Sequence, residues 1–202
     1  ITRGEALQIP LHVEWLQGAK AKNLKYDVKG TFVATPTEFK GYETYTFDNP
    51  AQTYSTEESQ LITGQTDANG DALVQARLQV GEGAPGMLLG SLTTKVYEES
   101  GDFSIDAARL LYSPYRQYVG IHSPQKGENA LPTDKEVIYH LVSLDSQGKT
   151  IANTTINVSI YKLDWYWWWN GDANALARYV SNTYNRPIKQ FTLKTDAQGK
   201  TT

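Results

Sequence analysis

Apolar and polar residues alternate along much of this chain, and this period of two constrains the fold more than any other feature. Residues 7–15, 24–32, 72–80 and 154–160 show the alternation. In a strand with one buried face, every second side chain points into the core. The pattern therefore predicts half-buried β-strands, with Pro10 marking an edge strand or a bulge. Only residues 173–180 read as a possible helix, and it is short.

Turn-forming residues separate these segments, and one turn has two interpretations. Glycine-containing turns lie at residues 17–18, 67–70, 81–86 and 146–148. Asn69-Gly70 between alternating segments predicts a tight hairpin in which both residues have positive φ. The stretch from Asp67 also begins like a calcium loop, but Ala72 and Leu78 stand where that loop needs Gly and Glu. A plain hairpin is the prediction.

An internal repeat organises the chain. Thr66-Asp67-Ala68-Asn69-Gly70 returns as Thr195-Asp196-Ala197-Gln198-Gly199, an offset of 129 (195 − 66). The strand, glycine turn and strand around Gly18 return around Gly148, an offset of 130 (148 − 18). Two landmarks with one period indicate two copies of one module, each of a size typical of a β-sandwich.

The sequence therefore predicts an all-β protein of two tandem antiparallel β-sandwich domains. The expected domains are residues 1–107 and 108–202, with Tyr118-Val119-Gly120-Ile121 opening the second. Only three residues follow Gly199, so the second domain is expected to lack its last strands and to expose a sheet edge.

Composition excludes several classes of function. The chain has 202 residues, a formal net charge of −3 and no basic stripe, which argues against binding nucleic acid. No stretch approaches the roughly 18 apolar residues of a membrane helix. The absence of Cys excludes disulfides and thiolate chemistry. The first residues resemble neither a signal peptide nor an initiator sequence, so the chain is expected to be a piece of a longer protein.

No residues stand out as catalytic, cofactor-binding or metal-binding. His12, His122 and His140 show no metal-ligand spacing. Ser113 and Ser123 lie near His122 in sequence, without a nucleophile elbow or a carboxylate placed to orient the imidazole. Carboxylates are scattered, so spacing alone leaves a glycosidase pair open. We expect a protein that is not an enzyme and has no cofactor.

Aromatic residues provide the candidate interface. The candidates are Trp165, Trp167, Trp168, Trp169, Tyr112 and Tyr115. One interpretation of the tryptophan run is that one face fills the core while the other packs on a neighbouring domain. The alternative is a carbohydrate-binding or adhesive module of the cell surface, with the tryptophans as a stacking platform.

Three motifs resemble the bacterial α2-macroglobulin family. They are Thr94-Lys95-Val96-Tyr97-Glu98 with Gly101-Asp102-Phe103-Ser104, Tyr112-Ser113-Pro114-Tyr115 with Tyr118-Val119-Gly120-Ile121, and the aromatic run from Tyr161 to Trp169. Family modules end in a similar Val-Tyr-Glu strand and begin with a similar Val-Gly-Ile strand. The resemblance covers both copies and about two-thirds of the chain.

This resemblance implies that both β-sandwiches are of the macroglobulin type, which is similar to fibronectin III. It also implies that the chain is a non-catalytic scaffold fragment of a protease-trapping protein. The partners implied are neighbouring domains of the same full-length chain, and target proteases through the full-length protein. The implied location is the periplasm, the cell envelope or the extracellular space, with a membrane reached only through an anchor outside this fragment. The family's thioester motif, Cys-x-Glu-Gln, cannot lie in a chain without Cys.

Overall fold

A computed structural model describes residues 1–78, 80–124, 135–162 and 187–202, with backbone only for 57–61. These described residues contain eleven antiparallel strands. The strands are β1 (Ala6–His12), β2 (Lys25–Ala34), β3 (Glu57–Gln65), β4 (Asp71–Arg77), β5 (Leu88–Tyr97), β6 (Phe103–Tyr112), β7 (Gln117–His122), β8 (His140–Asp145), β9 (Thr155–Ile160), β10 (Lys189–Lys194) and β11 (Lys200–Thr201). Within the described ranges there is no helix, and so none long and apolar enough to cross a membrane. The all-β prediction is confirmed.

The strands divide into two units that are not contiguous in sequence. Unit 1 comprises Ile1–Thr35, Tyr54–Glu82 and Met87–Pro114, and unit 2 comprises Pro36–Thr53, Gly83–Gly86 and Tyr115–Thr202. The boundary expected between Ala107 and Ala108 falls inside β6, which pairs with β5 along its whole length. The chain stays in the sheet of unit 1 until that ladder ends at Tyr112.

Unit 1 is a sandwich of two sheets. One sheet has the order β3-β2-β5-β6 and the other pairs β1 with β4. The buried core residues are Ala21, Leu24, Tyr26, Val28, Val74 and Val96, with Ile9, Leu11, Val13, Ile62 and Ala72 packed against them. Because these side chains come from both sheets, the apolar core lies between them, as the period of two requires.

Edge position and burial follow the sequence pattern. In β2 the side chains of Tyr26, Val28 and Phe32 are buried, and those of alternate residues face outward. Among the described strands, β1 pairs only with β4. Pro10, which has no amide hydrogen to donate, therefore lies in an edge strand as predicted.

Unit 2 also contains two sheets, ordered β11-β8-β7 and β10-β9. Segments from earlier in the chain complete it. Thr46 pairs with Ile121 at the end of β7 through two backbone hydrogen bonds of 2.9 Å. The rings of Phe39 and Phe47 meet edge to face at 4.8 Å, and Phe39 meets Tyr118 at 5.4 Å. The segment Pro36–Thr53 therefore supplies part of the core of unit 2.

A hydrogen-bonded corner joins the two sheets of unit 1. The Val13 amide donates to the Gly70 carbonyl at 2.9 Å, and the Val13 carbonyl accepts the Ala21 amide at 3.3 Å. The Asn23 amide donates to the Asp67 carbonyl at 3.2 Å. Asn23 and Gly70 have φ of 58° and 84°. Asn and Gly are the residues that occupy this left-handed region at lowest cost.

A buried threonine sits at the centre of this corner. The Thr66 side chain is 2% exposed. Its hydroxyl accepts the Leu24 amide at 3.0 Å and donates to the Ala21 carbonyl at 2.9 Å. The hydroxyl thus satisfies two buried backbone groups where the strands separate.

The same corner recurs in unit 2. The equivalent backbone hydrogen bonds run from Ser143 to Gly199, Ile151 to Ser143, Asn153 to Asp196 and Thr195 to Thr154. Asn153 has φ of 55° and Gly199 of 73°, and Thr195 is 2% exposed. Each partner lies 129 or 130 residues after its counterpart (199 − 70, 153 − 23). Each copy of the sequence repeat therefore forms the same hydrogen-bond network.

The prediction of a tight hairpin at Asn69-Gly70 is wrong. The strands on either side, β3 and β4, belong to different sheets, and Gly70 has positive φ while Asn69 does not. Asp67 Oδ1 accepts the amides of Asn69 at 2.7 Å and Asp71 at 2.9 Å. These hydrogen bonds let the turn carry the chain from one sheet to the other. They also lower the pKa of the Asp67 carboxyl.

Candidate interaction surface

Strand β6 forms one edge of the large sheet of unit 1. Among the described strands it pairs only with β5. Its first seven residues are all exposed. The smaller sheet covers β2, whose Tyr26 and Val28 belong to the core, while Ser104 and Asp106 on β6 stay open to solvent. An exposed edge strand offers unpaired backbone groups for a further strand.

The outward face of this sheet combines apolar side chains with cations, and we call it the β6 face. Phe103 and Ile105 are 50% and 60% exposed, and the register places them opposite Tyr97 and Lys95. The Lys95 ammonium lies 4.6 Å from the centre of the Phe103 ring, a cation–π contact. The Tyr97 and Phe103 rings are 5.9 Å apart.

The tyrosine of this face has an altered acidity. Desolvation raises the pKa of the Tyr97 phenol, and its hydrogen bond to Asp27 raises it further. Tyr97 therefore stays neutral through the physiological range. The β6 face thus carries a neutral aromatic side chain beside exposed apolar groups, and aromatic side chains are enriched at protein-contact surfaces.

Tyr112, a candidate interface residue, lies inside unit 1. Its side chain is 1% exposed and meets Phe32 edge to face at 5.7 Å. The last residue of β6 thus points to the core, whereas Leu111 beside it is 49% exposed on the outward face. The sequence named Tyr112 as a candidate but did not show which side of the sheet its side chain occupies.

Tyr115, another candidate, is partly buried within unit 2. Its hydroxyl donates to the Ala84 carbonyl at 2.5 Å and lies 3.3 Å from Gln52 Oε1. Its ring meets Tyr118 at 5.9 Å. Tyr115 therefore ties the segment Gly83–Gly86 to the aromatic residues of its own unit. The remaining candidates, Trp165, Trp167, Trp168 and Trp169, lie outside the described residues.

The histidines form two separate arrangements that reasoning from the sequence missed. His12 Nδ1 is 2.6 Å from Asp71 Oδ1, because β1 and β4 place the two residues opposite each other. His122 and His140 lie opposite each other in β7 and β8, with rings stacked at 6.2 Å. In the part of the chain that the structure describes, no three His, Cys, Asp or Glu side chains cluster to hold a metal.

Strand register was the missing information in both cases. His12 and Asp71 are 59 residues apart, so no local motif links them. The alternating pattern around each histidine did predict the strand. An inference that β1 pairs with β4 would have located the contact.

The chain contains two copies of one β-sandwich corner, and unit 1 also has an apolar and cationic sheet face. These features define a β-sandwich protein built of tandem modules. Comparison with known families matches the bacterial alpha-2-macroglobulin MG5 domain over residues 1–103. The bacterial macroglobulin domain 6 matches residues 120–202. The chain belongs to the bacterial alpha-2-macroglobulin family.

Solved structures agree on the fold. Trypsin-activated alpha-2-macroglobulin from Escherichia coli gives a TM-score of 0.60 at 13% identity, over 100% of this chain and 14% of that one. The native conformation of the E. coli protein gives 0.55 at 13% identity, over 100% and 13%. Salmonella alpha-2-macroglobulin reacted with methylamine gives 0.51 at 16% identity, over 98% and 14%. No curated protein sequence matches the chain. At these identities the likeness shows the fold, and the chain spans 13–14% of the length of these three relatives.

Proposed function

We propose that this chain is a non-catalytic scaffold segment of a protease-trapping alpha-2-macroglobulin. The observation that carries the proposal is that two consecutive modules match family domains 5 and 6 in that order. Each repeats the same buried corner. The buried hydrogen bonds of this corner fix how the sheets of each unit meet, which suits a rigid structural part.

The β6 face supports a contact role. Phe103, Ile105 and Leu111 are each at least 49% exposed along one edge strand. Exposed apolar side chains in a row cost solubility in a free domain, so their presence favours burial against another domain. The partners we propose are neighbouring domains of the same parent chain.

The proposed setting follows from the same family. An E. coli relative was solved in a trypsin-activated state, so proteases are the proposed targets of the full-length parent. The proposed location is the periplasm, the cell envelope or the extracellular space. The described residues bring together no metal-ligating group that would favour a catalytic alternative.

The test uses the full-length parent and trypsin. A trapped protease is enclosed, so it still cleaves a small chromogenic peptide amide but cannot reach a folded protein substrate. We expect the parent to abolish digestion of a large protein substrate while leaving most of the activity on the small amide.

The 202-residue chain alone is the matched control, and it should affect neither substrate. Full digestion of the protein substrate in the presence of the parent would refute the trapping function. Inhibition of both substrates by the isolated chain would refute the scaffold role, because it would indicate direct block of the protease active site.

A further inference from the structure

Two turns of the chain share one backbone geometry but differ in chemistry. In unit 1 the Trp15 amide donates to the Ala19 carbonyl at 2.8 Å, and the Gly18 amide donates to the Trp15 carbonyl at 2.7 Å. In unit 2 Asp145, Gly148 and Lys149 make the same pair of bonds at 2.8 and 3.1 Å. Gly18 and Gly148 have φ of 81° and 84°. Because the backbone of the two turns is the same, a comparison of the turns isolates the effect of their side chains.

A side-chain carboxylate stabilises the unit 2 turn through hydrogen bonds. Asp145 Oδ1 accepts the amides of Gln147 and Lys149, each at 2.9 Å. Unit 1 has Trp15 at the position of Asp145, and so lacks this carboxylate. Leu16, at the position of Ser146, is 105% exposed, and Trp15 is 36% exposed. Unit 1 thus places two apolar residues where its internal copy has a stabilising polar pair.

The two turns also differ in what covers them. A side chain built at Gly148 would meet the Phe39 ring at 3.0 Å, so an aromatic residue packs against the unit 2 turn. A side chain built at Gly18 would meet no described atom within 4 Å. The strand leading into the unit 2 turn, β8, pairs on both sides, whereas β1 pairs on one side among the described strands. Among the described residues, nothing covers the unit 1 turn in the way that Phe39 covers the turn of unit 2.

We infer that the Trp15-Leu16 tip, together with the free edge of β1, is the docking surface for another β-sandwich module of the parent chain. Unit 2 shows the form of such a cover: a strand beside the edge and an aromatic side chain over the turn glycine. The relatives' chains are about seven times longer than this one, so further modules are available to supply it. The inference rests on the proposed function, since it requires a multi-domain parent.

The test compares hydrogen exchange of peptides covering residues 13–20 in the isolated chain and in the full-length parent. We expect exchange to be at least about tenfold slower in the parent, because the docked interface must open before the amides of the tip can exchange. The double substitution Trp15→Asp, Leu16→Ser gives the unit 1 turn the two residue types that unit 2 has at Asp145 and Ser146. It should leave the isolated chain as stable as before or more so, and should remove the slowing in the parent.

Ile188→Ser is the matched control. Ile188 is 67% exposed in unit 2, so its replacement removes an exposed apolar side chain from the other unit and should leave the slowing intact. Equal exchange at residues 13–20 in both contexts would overturn the inference. So would binding of the isolated chain to anionic phosphatidylglycerol vesicles that is lost in the double variant, since the tip would then be a lipid contact.

The trypsin assay separates the two proposals. A parent that encloses trypsin but shows no slowing at the tip retains the proposed function and refutes the docking surface. A parent that shows the slowing but leaves protein substrates open to digestion retains the docking surface and refutes the trap.

Discussion

Removing the Thr66 hydroxyl tests whether the buried corner holds unit 1 together. Thr66→Val keeps the shape of the side chain but leaves the Leu24 amide and the Ala21 carbonyl without this partner. A buried backbone group that loses its hydrogen bond costs about 1–3 kcal/mol, and the added methyl returns at most about 0.8 kcal/mol. For two such groups the cost is about 2–6 kcal/mol, so the expected net loss in the free energy of unfolding is about 1–5 kcal/mol.

Hydrogen exchange followed by mass spectrometry can localise this loss. At about 1.4 kcal/mol per tenfold, peptides from the core of unit 1 should exchange roughly 5 to 4,000 times faster. Thr93→Val is the control, because Thr93 lies half-buried in β5 and Val suits a strand. If unit 1 peptides of the Thr66 variant keep their protection within threefold, the hydroxyl does not stabilise the corner and the reasoning fails.

Three further outcomes are expected. Gly70→Ala should destabilise unit 1, because φ of 84° disfavours a side chain and the new methyl would collide with the Val13 carbonyl; the urea midpoint measures it. A hydrogen bond to the Asp71 carboxylate and its charge raise the pKa of His12. The stabilisation from this pair is therefore complete below the unfolded pKa of about 6.5 and is lost as pH rises through the folded value, and an NMR titration should show the His12 pKa falling in Asp71→Asn. Titration of the chain against a glycan panel should give no heat; binding that disappears in Trp167→Ala would instead favour a carbohydrate-binding module.

The strands were predictable because the signal for a strand, the alternation of apolar and polar residues, lies within the strand's own sequence. β2 (Lys25–Ala34) overlaps the alternating segment 24–32, and β7 includes Tyr118-Val119-Gly120-Ile121 as expected. The repeat was predictable because the corner needs the same residue types twice: a buried Thr, a turn Asp and a Gly at positive φ. These requirements are local, so one sequence displays them.

What the sequence did not reveal depends on distant pairing. Nothing local marks Pro36–Thr53 as part of unit 2, since its pairing with Ile121 and its packing on Tyr118 span more than 70 residues. The Asn69-Gly70 turn looked like a hairpin because a dipeptide cannot show that the two strands beside it join different sheets. The inward direction of Tyr112 likewise depends on the register of β5 and β6.

The comparison of the two copies separates residues that hold the fold from residues free to serve another purpose. Thr66 and Thr195 are equally buried, and the αL residues Asn23 and Asn153 match to within 3° in φ (58 − 55), so the corner tolerates little change. The turns that follow the first strand of each corner share a backbone but differ at both tip residues. Since the backbone does not require Trp15 or Leu16, their selection is explained by what they contact outside unit 1. The same logic extends to the β6 face, where a row of exposed apolar side chains has no role in the core. Function in this chain is therefore expected at its exposed apolar surfaces. The buried hydrogen-bond network common to both units stabilises the sandwiches that carry these surfaces.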